Sequence, residues 1–500
     1  MNSAAKAMSW HGLKRRALSL GAMKALDQAM QFLLPVVLVR ALDTATFGEY
    51  RLLWLAVGTA MALATLNITG SLYYFVPRAD AARRRLYIHQ TIAFLALAGL
   101  LCGLAVSPWN PWLPAPMLVF ERYGLLVPAF VVLWVATILL DYLPTIEERI
   151  RWQAFATLGV SALRVLVLAV GAWFTGDMLV LLWLLLGVVL IKLALLFAYV
   201  RRWHGLGRPW FQRATLYEQF KHGTPFGVSG TLFALRGQID QWVAASLFAL
   251  SSFAAFSIAA LVGQVVQLVR QSVIEAFLPV MSRMQAAGDI RGVMQMNSRA
   301  NVLVGTLLYP LLAFAFAFAD EIVTTVFTAS YVEAVPAMRV YITGMAAMVV
   351  EMASIVLLLR EGAFAMRISA LVLAVSAAVS WTAAQHVGLA GAAMGSMVAV
   401  YLDRVFMLRR VSRHTRIPVR ELQDWGSLAR TCGSAALAAA LAWAVVERFL
   451  PGRAHLVRMA AGAALLALIY MSFNVRRDRG KDAAKAGNEL SSPFKEGLPR

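Results

Sequence analysis

Residues 178–200 read MLVLLWLLLGVVLIKLALLFAYV, and Lys192 is the one charged side chain in the run. About 20 apolar residues in a helix suffice to cross a ~30 Å hydrocarbon core, so this stretch is long enough. Its side chains do not alternate between apolar and polar, which argues against a barrel strand. In lipid every backbone N–H and C=O must pair within the segment, so the run reads as a helix. Working outward from it, thirteen more segments of this kind appear. Five precede it, at 18–39, 52–76, 87–106, 123–143 and 154–174. Eight follow, at 226–250, 253–278, 302–319, 337–359, 363–384, 389–408, 428–446 and 456–473.

Composition agrees. Hydrophobic residues make up 60% of the 500 and charged residues 14%, with a mean hydropathy of +0.69. A soluble domain averages roughly 45–50% apolar and 25% charged, so lipid must be the solvent for this chain. A net charge of +20 in a soluble protein would suggest nucleic acid. Here the basic residues instead sort by loop. With the N-terminus placed in the cytoplasm, 31 of the 46 Lys and Arg fall on the inside, five on the outside and ten within spans. Basic residues collect in cytoplasmic loops, so both termini are expected inside and no nucleic acid partner is expected. The basic N-terminus reads as leading into a retained first helix, because Lys24, Asp27 and Gln28 interrupt the apolar run after it. Cys102 and Cys432 lie in apolar runs and imply no disulfide framework. The charged, Gly- and Ser-containing tail at 475–500 is expected to be disordered and cytoplasmic.

Catalytic patterns are missing from the seven scattered histidines, and GLGRP and GLAGAAMG are not phosphate loops. No enzyme activity, metal or cofactor is expected. The informative residues are ionisable groups inside spans, each costing on the order of 2.5–3.5 kcal/mol on insertion scales. Lys24 and Asp27 share the first span with Gln28 and Gln31; Arg164 sits near the middle of the fifth, and Lys192 nearer the inner end of the sixth. On the seventh, Arg236 and Asp240 are spaced to pair across one turn. The eighth carries Gln264, Gln267 and Gln271 in a stripe, with Arg270 beside them. Lys24, Arg164, Arg236, Arg270 and these glutamines are the candidate cavity residues, with Asp27 and Asp240 as charge partners or coupling groups. Snorkelling accounts for Arg367, Arg404, Arg430 and Arg458 near span ends. An excess of cations favours an anionic substrate, for which a pyrophosphate on a lipid carrier has the right charge.

Several stretches resemble one family. ALDTATFGEYRLLWLAVG at 41–58 resembles a Leu-Gly-x-x-x-Phe-Gly-x-Tyr turn, with Asp43 where Gly is common. QIDQWVAASLFALSSFAAFSIAALV, FLPVMSRMQAAGDIRGVMQMNSRA, VFTASYVEAVPAMRVY and VGLAGAAMGSMVA follow in the family's order, with Ala329 replacing a usual Gly. Together they resemble the multidrug/oligosaccharidyl-lipid/polysaccharide (MOP) exporter superfamily, in its polysaccharide branch of Wzx-type flippases. The resemblance implies an all-α integral membrane protein of about 14 transmembrane helices. Two six-helix lobes, 1–200 and 201–410, would form a V like that of the multidrug exporters, with two more helices at 411–474. A faint internal match of Phe75 and Pro77 to Phe277 and Pro279 is consistent with parallel halves. The implied partner is an undecaprenyl-pyrophosphate-linked oligosaccharide held in a central cationic cavity, alongside membrane lipids and the polymerase and chain-length regulator of the same pathway. The alternatives are a cation-coupled multidrug exporter using Asp27, a polysaccharide polymerase or ligase, and a non-transporting assembly partner. The short outside loops argue against the polymerase or ligase.

Overall fold

The computed structural model describes residues 10–205, 207–208 and 210–490, leaving aside the side chains of 10–22, 24, 225–226 and 474–490. Each of the fourteen apolar segments falls on a helix of its own. They are α1 (Trp10–Ala41), α2 (Thr44–Thr65, continued by Ile68–Phe75), α3 (Ala81–Ala105) and α4 (Leu126–Ala136, then short turns to Ile146). Next come α5 (Ile150–Thr175), α6 (Met178–Trp203), α7 (Arg213–Arg236 and Ile239–Leu247) and α8 (Leu250–Ala260 running into Val262–Ala286). The rest are α9 (Ile290–Ala317), α10 (Ala334–Ala347 and Ala353–Leu358), α11 (Gly362–Val387), α12 (Leu389–Thr415), α13 (Trp425–Phe449) and α14 (His455–Leu490).

Helix starts follow local chemistry. Asp43, the departure from the family's turn, accepts hydrogen bonds from the Ala45 and Thr46 amides at 2.9 and 3.0 Å and so caps α2. Asp80, Asp177 and Asp424 cap α3, α6 and α13 in the same way. Among the described residues nine helices are long and apolar enough to cross a membrane, or eleven if each bent pair forms one span. The bent pairs are α2, turning 47° after Thr65, and the approach to α4, turning 101° at Gly124. Gly124 has φ +56°, a left-handed conformation that glycine adopts without steric cost. The three remaining spans are α1, which carries charge, and α7 and α10, which are interrupted. Such breaks survive at membrane depth only where protein re-satisfies the freed backbone groups. At the other end of the chain, α14 continues to Leu490, where irregular chain was expected from 475. A helix already nucleated by an apolar span extends easily through the Ala-, Lys- and Arg-containing residues that follow. Residues 491–500 lie outside the described residues.

Two compact units emerge from the packing. One comprises residues up to Leu261 with Gly362–Asp403; the other comprises Val262–Glu361 and the chain from Arg404. Within the first unit α1 packs on α5, α3 on α4, α2 on the start of α8, α5 on α6 and α7 on α11. Within the second, α9 is the hub and packs on α8, α10, α13 and α14.

Candidate functional site

In the first unit a cavity of about 490 Å³ opens between α1, α2, α4, α5 and α6. Three of the sequence-derived candidates meet there: Asp27 and Gln31 from α1 and Arg164 from α5. Asp27 accepts hydrogen bonds from Gln31 at 2.8 Å and from the Ser161 hydroxyl. Spacing explains the meeting. Asp27 and Gln31 are one turn apart on α1, Ser161 and Arg164 are one turn apart on α5, and the two helices pack together.

Lys192 joins them, and its 5% exposed side chain bonds Asp141 at 2.8 Å. Asp141 keeps 41% of its own side chain exposed, so the pair presents its carboxylate to the cavity. It sits in the irregular end of α4, where its main-chain oxygen accepts from Gln153 at 3.2 Å. Arg164 is placed differently. Its guanidinium lies 5.1 Å from the Trp54 ring and 5.9 Å from the Trp134 ring. Its Nε is buried without a hydrogen-bond partner, and no ion pair to Arg164 forms among the described residues. Tyr73 and Tyr142 line the cavity and are 49% and 39% exposed.

The other candidates lie elsewhere. Arg236 does not bridge to Asp240 across its own turn, because α7 is interrupted just after it at Gly237–Gln238. Arg236 reaches Asp403 of α12 at 2.7 Å, and Asp240 accepts from Ser396 of α12 at 2.6 Å. In the second unit Arg270 bridges to Glu351 and donates to Gln267 at 2.9 Å. Glu351 sits in the break of α10. Its carboxylate accepts from the Ala353 amide at 2.7 Å, and its own amide donates to Asn301 at 3.1 Å. Asn297 donates to its carbonyl at 3.0 Å. Gln271 donates to Glu275 at 2.9 Å. Gln264 is exposed and Gln28 half-buried; neither is among the residues lining the cavity. The side chain of Lys24 lies outside the described residues.

The interior is therefore less one-sidedly cationic than the spans suggested. Arg458, expected to snorkel, meets Glu321 and Glu447, and three further cations each meet a carboxylate: Lys192 with Asp141, Arg236 with Asp403 and Arg270 with Glu351. A buried charge without a partner costs several kcal/mol, so partners are supplied from other helices. Sequence reading missed those partners because they stand 51, 167 and 81 residues away. It also missed Arg51 of α2, whose Nε donates to the Ser257 hydroxyl at 3.0 Å. Intramembrane carboxylates are as costly as cations, so a search for Asp and Glu within spans would have found Asp141, Glu351 and Asp403.

Comparison with known proteins fits this architecture. The fold matches that of a lipid II flippase, MurJ, in an inward closed conformation, with TM-score 0.61, 11% identity and coverage of 91% of this chain and 98% of that one. It matches an inward-facing multidrug resistance MATE transporter of the MOP superfamily with TM-score 0.61, 13% identity and coverage of 78% and 96%. A MOP superfamily transporter from Pyrococcus furiosus matches with TM-score 0.54, 12% identity and coverage of 80% and 96%. A search of curated proteins returned no match. The model of one family, described as polysaccharide biosynthesis protein, matches residues 13–285. That stretch is more than half of the chain, so the protein belongs to this polysaccharide biosynthesis family, with a fold shared by MOP superfamily transporters.

Proposed function

We propose that the protein carries an undecaprenyl-pyrophosphate-linked oligosaccharide across the bacterial cytoplasmic membrane for the assembly of a surface polysaccharide such as O-antigen, capsule or exopolysaccharide. Both termini then lie in the cytoplasm, the side to which 31 Lys and Arg are assigned. The observation that carries the reading is a cavity lined by Asp27, Asp141, Arg164 and Lys192 among membrane-spanning helices, in a chain of the polysaccharide biosynthesis family. Polar surface at membrane depth is costly unless it meets a polar cargo or water. A lipid II flippase has the same fold, which suits the reading of a lipid-borne cargo. Residues 1–200 and 201–410 would act as the two lobes, with the polymerase and chain-length regulator of the pathway as downstream partners.

Arg270 offers a second polar point, held by Glu351. A lipid pyrophosphate bound there would compete with that carboxylate, since both present oxygens to the same guanidinium. A second reading, a cation-coupled drug exporter, is favoured by the placement of Asp27 on the cavity wall.

Deletion of the gene separates the two. Loss of surface polymer, with lipid-linked repeat units retained on the inner leaflet, is the expected result. Unchanged polymer with altered drug sensitivity would select the exporter, and translocated but unpolymerised units would point to a polymerase.

A further inference from the structure

The charge inventory of the cavity specifies more than a polar cargo. Among the described residues its ionisable lining consists of Asp27, Asp141, Arg164 and Lys192 at formal net zero, apart from its tyrosines. Asp141 and Lys192 neutralise each other. Asp27 is met by the neutral donors Ser161 and Gln31. Arg164 alone of the four is held only by aromatic rings, with its Nε unpartnered. A guanidinium does not lose its proton, and in a low-dielectric interior a cation without a counter-charge is unfavourable. One negative charge on a ligand would satisfy it.

From this arrangement we infer that the cavity is a subsite for a single acidic sugar residue, a hexuronate or similar unit, whose carboxylate pairs with Arg164. A planar guanidinium matches a carboxylate through two parallel hydrogen bonds. Asp27, an acceptor with oxygens free to take further bonds, receives sugar hydroxyls. Tyr73 and Tyr142 offer amphipathic faces to the ring. The volume of about 490 Å³ lies within the roughly 300–1,000 Å³ typical of small-ligand sites. A pyrophosphate suits this cavity less well. It brings two or more charges to a place with one uncommitted cation among the described residues, and Asp27 and Asp141 would repel the excess. The inference rests on the proposed transport of a glycan and adds that the glycan carries a carboxylated sugar.

The test uses the purified full-length protein in detergent, with sodium glucuronate as probe and glucose and glucuronamide as neutral controls, read by saturation-transfer NMR. Saturable glucuronate binding, at least tenfold tighter than that of glucose or glucuronamide, is expected. Arg164→Gln should bring glucuronate down to the level of the neutral sugars, while Arg164→Lys, which keeps the charge but loses the two-bond match, should weaken glucuronate yet leave it preferred over the neutral sugars. Asp27→Asn should weaken acidic and neutral sugars alike. Equal binding of glucuronate and glucose, no saturable glucuronate binding, or binding unchanged by Arg164→Gln would overturn the inference. Displacement by inorganic phosphate at lower concentration than glucuronate would also overturn it, revealing a general anion site. If Arg164→Gln fails to fold, the contrast between glucuronate and glucuronamide on the native and Arg164→Lys proteins decides. The gene deletion tests transport separately, so a glycan flippase that does not bind glucuronate remains distinguishable from a protein that is no flippase.

Discussion

Glu351 joins two tasks in the second unit. Its carboxylate neutralises Arg270 and meets the amide of Ala353, so the break in α10 and the charge on α8 are satisfied by one side chain. Removing one partner of a buried pair leaves the other uncompensated, at a cost of about 3–5 kcal/mol. Glu351→Ala is therefore expected to lower the thermal midpoint of the purified protein by several degrees. A midpoint equal to that of the native chain would show that the pair is not needed. Glu147, between α4 and α5, gives a case with a pH signature. Burial on its own would raise its carboxyl, but the His204 imidazole 3.0 Å away, a hydrogen bond from the Tyr199 hydroxyl and the charge of Arg149 hold it below the ordinary 4.5. A depressed folded value means stability that is present above pH 4.5 and lost as the pH falls through the lower folded value. The hydrogen-exchange protection of 144–149 and 199–205, taken relative to the intrinsic rate at each pH, should fall on acidification below pH 4.5 in the native protein. In Glu147→Gln the protection should be low already at pH 7, and a variant as protected as the native chain would contradict this.

Among the elements, α11 and α12 show what small residues accomplish where lipid removes most of the hydrophobic drive. Gly391 and Gly395 are four residues apart. A methyl group at either would run into the backbone of α11, at Ala383 for Gly391 and at Ser376 and Ser380 for Gly395. Gly395→Leu should force the helices apart at about 1–3 kcal/mol, the usual cost of overpacking. A lowered melting temperature is the readout, and an unchanged one would mean the helices tolerate separation. The spans themselves were legible in the sequence because apolar length is a local property. The breaks in α7 and α10 were not, since neither Gly237 nor the single Glu351 in the run at 348–352 marks a break by itself, and the stabilising partners come from α12 and α9. The candidate site was half legible for the same reason. Asp27, Gln31 and Arg164 announced themselves as polar groups in apolar runs, whereas their grouping depends on α1 packing against α5 across more than a hundred residues.

For the molecule as a whole, these pieces describe a transporter fold whose internal charges are mostly paired and whose first unit keeps a polar cavity within its membrane-spanning helices. Pairing lets costly side chains persist at membrane depth, and Arg164, which meets no carboxylate among the described residues, is a cation on which a charged cargo can act. The proposed function is movement of a lipid-linked sugar between leaflets. The most direct measurement reconstitutes the purified protein into liposomes holding a fluorescent undecaprenyl-pyrophosphate-linked saccharide in both leaflets, then adds a membrane-impermeant quencher. Protein-free liposomes lose about half of the signal, because only the outer leaflet is reachable. With the protein present, progressive loss of the protected half is expected as cargo crosses. A protected half that persists with folded protein in the membrane, under every ion and pH gradient applied, would contradict it.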